Sequence, residues 1–442
     1  MQRSSDSAYA AGPTASVQIS AVTLRKVTWR LIPFLFILYV IAWLDRVNVG
    51  FAGLQMNADL GFSSTVFGFG SGIFFLGYCL FEIPSNIILE RVGARLWISR
   101  IMVTWGLISA ALMFVRTPPT FYLLRFLLGV AEAGFFPGVI YYLSLWYPAA
   151  HRARAIAAFM TAVPVSGLIG GPLSGALLEL DGLHGLAGWQ WLFLLEGLPA
   201  VIMGTSVLFY LKDRPETSQW LTPAERDWLV ETLAAERKAC ELRPNIRVAL
   251  TDLTIWKLGF IFLLVAAGFY GYSFWAPLVI KSLTGLSNFK VGLILGAISA
   301  VTIVGMLLNS YHSDRTGERA LHIAVPLSVM AVGLIGCALL RQPFLAIFAL
   351  ALVPLGHCAS YGPFWSTPTQ FFTGQAAAAG IALVTVIANV GSFAGPTLIG
   401  VLKAKTGTHT VAFALLGGLA VIAALLALTL GPAQPRSSER PT

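Results

Sequence analysis

Charged residues are scarce in this chain of 442 amino acids. Asp, Glu, Lys and Arg together make up 11% of it, whereas hydrophobic residues make up 57%. A soluble domain carries roughly 25% charged residues, so the shortage excludes an ordinary water-soluble globular protein. The net charge of +9 does not predict nucleic-acid binding, because the basic residues are spread along the chain and form no single patch.

Features of enzymes and metal proteins are also missing. The four cysteines form no CxxC pair, which argues against disulfides and cysteine-based metal sites. The sequence has no HExxH or GxSxG motif and no cluster of Ser, His and Asp, so it gives no support to an intramembrane enzyme. We therefore expect no catalytic residue, no cofactor and no bound metal.

Long apolar runs take the place of charge. Runs of at least about 18 residues recur along the whole chain, and each is long enough to cross a bilayer as a helix. The sequence predicts an all-α integral membrane protein with twelve spans. Their approximate cores are residues 29–53, 63–89, 97–115, 120–147, 154–178, 190–211, 255–280, 289–311, 320–340, 344–371, 377–402 and 409–430.

Basic residues gather at one side of the predicted spans. Because cytoplasmic loops carry an excess of Lys and Arg, we expect both termini in the cytoplasm and the spans in the inner, or plasma, membrane. The bias is clearer in the first half of the chain. The residues concerned are Arg25, Lys26, Arg30, Arg91, Arg95, Arg100, Arg152 and Arg154.

The spans are predicted to fall into two bundles of six. We expect bundles at residues 28–211 and 254–431, joined by a polar cytoplasmic linker at 212–253 and flanked by disordered cytoplasmic tails at 1–27 and 432–442. The first 18 residues lack the apolar core of a signal peptide. Within the linker, the stretch from Thr222 to Glu225 has the pattern of a capping box with Pro at the first helical position, which predicts a solvated helix through about Ala239.

Two motifs repeat at one offset. ERVGAR at 90–95 corresponds to DRTGER at 314–319, and the Gly-Pro pair at 171–172 corresponds to the pair at 395–396. Both offsets are 224 residues (314 minus 90, and 396 minus 172). Many transporters are built from such repeats and bind substrate between them near the bilayer midplane.

The repeated loops resemble the signature loop of the major facilitator superfamily. WLDRVNVGFA, GSGIFFLGYCLFEIPSNIILERVGAR, RFLLGVAEAGFFPGVIYYLSLWYP, GLIGGPLSGALL and WQWLFLLEGLPA are together similar to its anion:cation symporter family, over about residues 28–430. The resemblance implies the twelve-helix, two-bundle fold and proton-coupled uptake of organic anions by alternating access. It also implies that Tyr78 and Asn389 contact substrate. The implied gating or structural residues of the loops are Glu90, Arg91, Arg95, Asp314, Arg315 and Arg319.

Five ionisable residues lie well inside the predicted spans of the first half. They are costly in a membrane and normally mark function. The positions 224 residues later hold no charge, so the predicted charge chemistry is asymmetric. The five residues are Asp45, Arg46, Glu82, Arg125 and Glu132, and their counterparts are Phe269, Tyr270, Met306, Ala349 and Gly356.

The buried arginines and carboxylates are predicted to have different roles. Arginine holds a carboxylate with two hydrogen bonds, so Arg46 and Arg125 are the predicted anion-binding residues. Burial favours protonated carboxyl groups, so Asp45 and Glu132 are the predicted proton-coupling residues. Adjacent Asp45 and Arg46 point about 100° apart on a helix, while Arg125 and Glu132 lie about 10 Å apart along one face. The alternative is that single charges pair across helices as structural locks, and for Glu82 a gate or helix contact is favoured.

The second half is predicted to supply polar and aromatic contacts to the substrate. Tyr270, Trp365 and Thr367 are candidates. Two prolines near Trp365 free backbone groups, and the hydroxyl and aromatic side chains there are candidates for lining a cavity. Ordinary helix packing is the alternative for these residues. Residues 160–166 contain no carboxamide, whereas relatives that handle sugar acids tend to place one there, which favours a less hydroxylated or aromatic carboxylate.

The sequence thus predicts a transporter that imports an organic carboxylate with protons and works as a monomer in the lipid bilayer. Facilitated or sodium-coupled transport of the same substrates is the main alternative. A membrane sensor without transport activity and an intramembrane enzyme are further alternatives. Tartrate-like, aromatic and sugar acids all remain open as substrates.

Overall fold

The computed structural model describes residues 13–240, 251–367 and 374–430, and within these ranges the chain forms fifteen α-helices. They are α1 (Pro13–Asp59), α2 (Ser64–Val92), α3 (Ala94–Ala111), α4 (Pro118–Glu132), α5 (Phe135–Ser144), α6 (Ala149–Met160), α7 (Ala162–Leu178), α8 (Gly188–Tyr210), α9 (Pro223–Cys240), α10 (Leu253–Thr284), α11 (Asn288–Thr316), α12 (Ala320–Leu339), α13 (Pro343–Ser366), α14 (Gly374–Thr406) and α15 (Thr410–Leu428). Short 3₁₀ turns lie at Leu112–Phe114, Leu183–Gly185 and Pro215–Thr217.

Twelve helical segments of the described chain are long and apolar enough to cross a membrane, which confirms the predicted number of spans. Helices α4 and α5 together form the fourth span, and α6 and α7 form the fifth. Helix α9 lies between the sixth and seventh spans and is not one of them.

The first helix is longer than expected. It begins at Pro13, so residues 13–27, which we expected in a disordered tail, are helical. Proline suits the first turn of a helix, and nothing between it and the first span breaks the helix. Thr23 and Val27 are fully buried, so this extension packs against the rest of the protein. Residues 1–12 and 432–442 lie outside the described ranges.

A glycine seam joins the two halves at one end of the molecule. On α2 and α14, a Cβ added to Gly68 would lie 2.6 Å from the Pro396 carbonyl oxygen, and one added to Gly400 would lie 2.4 Å from the Ser64 carbonyl oxygen. On α7 and α11, a Cβ at Gly171 would lie 2.5 Å from the Gly292 carbonyl oxygen. Small residues let membrane helices approach this closely. We call this the closed end.

The opposite end of the interface between the halves is built differently. Helices α5 and α6 form that end of the fourth and fifth spans, and they pack on α1, α2, α3 and α7 of the first half. Among the described residues, the glycine seam has no counterpart at this end. Within the described ranges, the close glycine contacts between the two halves therefore lie at the closed end.

The linker helix α9 is docked on the first half. As predicted, the Thr222 N–H donates to Glu225 Oε2 at 2.9 Å, and the Glu225 N–H donates to Thr222 Oγ1 at 3.4 Å. Lys26 Nζ lies 2.6 Å from Glu225 Oε1. Leu229 and Leu233 are buried, so one face of the helix is packed, where we had expected a solvated linker.

Candidate functional site

An ion pair between α1 and α4 lies at the centre of the site. Arg46 Nη2 donates to Glu132 Oε1. Both residues are buried, and the rings of Trp43, Phe74 and Tyr78 have their centres 5.2, 5.5 and 5.3 Å from the Arg46 Cζ. The guanidinium Nε has no protein partner, so the arginine keeps a free donor inside an aromatic cage.

Asp45 faces another part of the bundle, as the helical geometry predicted. Its Oδ2 accepts from the Trp105 indole at 2.7 Å, and its Oδ1 accepts from the Ser109 hydroxyl at 2.7 Å and the Asn48 amide at 3.2 Å. Asp45 is 1% exposed. These neutral donors hold the carboxyl group of Asp45 between α1 and α3, away from its neighbour Arg46.

Arg125 lies nearer the closed end. It is fully buried, and it donates from Nε to the Gly70 carbonyl at 3.3 Å and from Nη2 to the Ser71 carbonyl at 3.1 Å. Its Nη1 has no protein partner. The rings of Phe74 and Phe274, one from each half, have their centres 5.2 and 5.9 Å from its Cζ. Arg125 thus has an unsatisfied cationic donor where the two halves meet.

The fourth span breaks directly after Glu132. Gly134 has a φ of 87°, a conformation that glycine adopts without strain. Pro137 has no N–H to donate to the carbonyl four residues earlier, that of Ala133. The Ser85 hydroxyl of α2 donates to this carbonyl at 2.6 Å. The Glu132 carboxylate therefore lies at the end of α4, and a hydrogen bond from α2 stabilises the chain directly after it.

Glu82 connects the two halves. Its Oε2 accepts from the Asn389 amide of α14 at 3.4 Å, and both residues are buried. Glu82 thus contacts a helix of the second half, whereas a gating role for it stays a prediction. Through this hydrogen bond to Glu82, Asn389 of the second half approaches the buried charges of the first half.

The other predicted residues of the second half divide into two groups. Tyr270 lies against the cage of Arg46, with its ring centre 6.3 Å from that of Trp43 and 4.5 Å from that of Phe75. Trp365 instead packs on Phe262 at 5.0 Å. The Thr367 hydroxyl donates to a carbonyl of its own helix at 2.9 Å. The structure therefore brings Tyr270, but neither Trp365 nor Thr367, into contact with the charged cluster.

A cavity of about 110 Å³ lies between the halves, beside Trp43. Five hydroxyl-bearing residues line it, namely Ser166, Tyr272, Ser273, Ser299 and Thr302. The hydroxyls of Ser166, Ser299 and Thr302 donate to carbonyls of their own helices at 2.6, 3.0 and 2.9 Å. Their oxygen atoms can still accept a hydrogen bond. The described lining contains no charged side chain, so this cavity suits the uncharged part of a ligand.

The repeated loops share a glycine with a positive φ angle but differ in their contacts. Gly93 and Gly317 follow α2 and α11 with φ angles of 101° and 69°. The Arg95 N–H donates to Asp213 Oδ1 at 2.8 Å, and Arg319 Nη1 donates to Asp314 Oδ1 at 2.8 Å. The remaining predicted loop residues, which are exposed, are Glu90, Arg91 and Arg315.

Two buried ionisable residues escaped the sequence analysis as functional candidates. Glu196 of α8 is 3% exposed, and His357 of α13 is 2% exposed and stacks on Phe269 at 3.8 Å. The signal for Glu196 was present, because it is a single carboxylate in a long apolar run. Among the described residues, no group of His, Cys, Asp and Glu is arranged to hold a metal ion.

Comparison with known proteins identifies the family. The model of the Major Facilitator Superfamily matches residues 35–396. The chain is 50% identical to a "Putative tartrate transporter" of Agrobacterium vitis, covering 96% of this chain and 94% of that protein. It is 42% identical to the "Putative metabolite transport protein NicT" of Pseudomonas putida, covering 92% and 93%.

A solved structure shares the fold. It is a bacterial homolog to the human lysosomal transporter Spinster, with a TM-score of 0.71 at 18% identity, covering 91% of this chain and 95% of that one. This likeness shows the shared fold, and the family model and the relatives show the family. The chain belongs to the major facilitator superfamily of membrane transporters.

Proposed function

We propose that the protein imports a small organic carboxylate together with protons, by alternating access. The observation that carries the proposal is the buried pair of Arg46 and Glu132. In the proposal, the cation that binds substrate and the carboxylate that binds a proton are in direct contact, so a proton on the carboxylate favours binding of the substrate to the cation.

The pair supplies a mechanism for coupling. While Glu132 is ionised, it occupies the guanidinium of Arg46 and adds a negative charge that repels an incoming anion. A proton on Glu132 removes that charge and frees a planar fork of donors, which binds the substrate carboxylate. Loss of the proton on the other side of the membrane restores the pair and expels the anion. In this proposal Asp45 binds a second proton, and the free donor of Arg125 contributes to anion binding.

The cavity supports a substrate class. Its hydroxyl oxygens accept hydrogen bonds and its described lining has no cation, so hydroxyl groups of a substrate would be held there while a carboxylate stays with the arginines. We propose a small hydroxy carboxylate, in keeping with the tartrate named for the relative of Agrobacterium vitis. This differs from the less hydroxylated acid that the missing carboxamide suggested, because serine and threonine take the acceptor role.

The seam supports an orientation. With both termini in the cytoplasm, as the basic loops predict, the closed end faces outward. We propose that residues 28–211 and 254–431 move as two bodies joined by the linker at 212–253. The proposed location is the inner membrane and the functional unit a monomer.

Transport into proteoliposomes tests the proposal. A thermal-shift panel of carboxylates on the purified protein first selects the ligand, with hydroxy, aromatic and sugar acids compared side by side. Uptake of that ligand is then measured under an inward proton gradient, an inward sodium gradient and no gradient. We expect accumulation with protons alone. Uptake that follows sodium, or that never exceeds equilibration, would contradict proton symport.

A further inference from the structure

Glu196 is a buried carboxyl group that the proposed exchange does not use. Its Oε1 accepts a hydrogen bond from the Ser174 hydroxyl of α7 at 2.7 Å, and its Oε2 has no protein partner. The residue is 3% exposed in the interior of α8. A carboxylate so deeply buried is costly to keep ionised without a cation, so its protonation state depends strongly on its few neighbours.

The side-chain amide of Asn48 lies near the carboxyl groups of both Asp45 and Glu196. Asn48 is fully buried, and its Nδ2 donates to Asp45 Oδ1 at 3.2 Å. Asn48 is also close enough to Glu196 for an electrostatic interaction, although the hydrogen bond to the Glu196 carboxyl group comes from Ser174. The Asp45 carboxyl group of α1 and the Glu196 carboxyl group of α8 therefore lie near the same amide. The Ser174 hydroxyl of α7 donates to Glu196.

Few charges act on this cluster. The charge of Asp45 acts on Glu196, and the charges of Glu132 and Arg125 act on Asp45. Neither carboxyl group has an ion-pair partner among the described residues, because Arg46 is paired with Glu132 and Arg125 donates to carbonyl groups. The other groups that contact the two carboxyls are neutral donors, namely Trp105 and Ser109 of α3 and Ser174 of α7.

We propose that Glu196 binds and releases one proton in each transport cycle, as a unit with the neighbouring Asp45. The inference rests on the proposed proton symport. Each carboxyl group takes one proton from water on the loading side and returns it to water on the release side. Two ionised carboxylates across one amide repel each other, so the unit titrates as a coupled pair.

The alternative is a carboxyl group that stays protonated and serves only as a hydrogen-bonding group between helices. Glu196→Gln separates the two, because glutamine has the shape and neutrality of the protonated acid. We expect this variant to bind substrate with wild-type affinity in a thermal-shift titration. In proteoliposomes, the ratio of protons to substrate, measured from the reversal potential, should fall by one.

An unchanged ratio in Glu196→Gln would overturn the inference while leaving proton symport intact. A wild-type protein without proton coupling would instead overturn the proposed function. The two failures are therefore distinguished by the wild-type control in the same experiment.

Ser174→Ala provides a test that keeps the carboxyl group. The Ser174 hydroxyl stabilises the ionised form of Glu196, so its loss should shift the pH of half-maximal counterflow upward by about one unit. Ser206→Ala is the matched control, because the Ser206 hydroxyl of the same α8 is exposed and donates to a carbonyl of its own helix at 2.9 Å. A pH profile that is the same in Ser174→Ala, Ser206→Ala and the wild type would contradict the inference even if Glu196→Gln failed to fold.

Discussion

The two halves of the protein share a backbone plan and differ in chemistry. Their loops turn at equivalent glycines, Gly93 and Gly317. The repeat relates α2 to α11 and α14 to α7, so the contact of α2 with α14 in the seam corresponds to the contact of α11 with α7. Yet the positions equivalent to Arg46 and Arg125 hold Tyr270 and Ala349. Gating needs similar surfaces on both halves, whereas binding one anion needs charge on one side only. In the proposed mechanism, the first half therefore supplies the charges that hold the anion, and the second half supplies uncharged contacts.

Removing the central cation should have the largest effect. In Arg46→Ala, Glu132 loses its partner in a buried site, and breaking such a pair costs about 3–5 kcal/mol. We expect substrate affinity to fall by at least about 100-fold in titration of the purified protein, and Arg125→Ala to lose binding as well. Arg116→Ala, in an exposed loop, is the control. Wild-type affinity in Arg46→Ala would mean that the first half does not hold the anion through this residue.

Neutralising the partner should separate binding from coupling. In Glu132→Gln, Arg46 is permanently available, so substrate counterflow should persist while accumulation driven by a proton gradient is lost. Both assays use the same proteoliposomes, and the exposed Glu216→Gln serves as the control. If Glu132→Gln still concentrated substrate, the proton would have to bind elsewhere.

A change in the second half should be milder. Tyr270→Phe removes one hydroxyl beside the cage of Arg46 but keeps the ring that packs on Trp43 and Phe75. A single hydrogen bond is worth about 1 kcal/mol, so we expect KM for uptake to rise roughly fivefold with an unchanged pH profile. A shifted pH profile would show that the second half takes part in proton coupling.

The smallest effect concerns the linker, which the structure attaches to the first half. Although partial desolvation opposes ionisation, the Lys26 ammonium and the Thr222 N–H hold the pKa of Glu225 below its usual value. The paired, ionised form then stabilises the fold above the unfolded pKa of about 4.3, and this stabilisation is lost as the pH falls through the folded value. Lys26→Ala should lower thermal stability at pH 7 by at most about 1 kcal/mol.

Thermal unfolding at two pH values checks this prediction. The difference between Lys26→Ala and the wild type should be present at pH 7 and should disappear in acid, where Glu225 is protonated in both proteins. Lys290→Ala, which removes an exposed lysine of the second half, should show no such pH dependence. A difference that persists in acid would mean that Lys26 stabilises α9 by packing.

The sequence predicted features that depend on short stretches of chain. Uninterrupted apolar runs located the twelve spans, the spacing of Thr222 and Glu225 located the cap of α9, and the angle between successive helical residues separated Asp45 from Arg46. Each of these follows from local geometry. The helix at 13–27 was missed because its buried positions become visible only when the other helices are in place.

Contacts between distant segments were beyond the reach of the sequence. Arg46 and Glu132 are 86 residues apart, and no spacing rule links two different helices. Pro137 cannot donate to the Ala133 carbonyl, and only the fold shows that the Ser85 hydroxyl donates to it. The roles assigned to Arg46, Glu132 and the other site residues remain predictions until the variants are measured.

The glycine seam also bears on how strongly the transporter binds its ligand from each side of the membrane. Gly68, Gly171 and Gly292 carry no ionisable group and lie against backbone carbonyls, so the fit of the seam depends on the volume of single atoms and not on pH. An added methyl group at one of these glycines would disfavour the conformation in which α2 packs on α14 and α7 packs on α11 at the closed end. Because apparent affinity scales with the population of the competent state, the same methyl group would strengthen binding from one side and weaken it from the other, without touching the site.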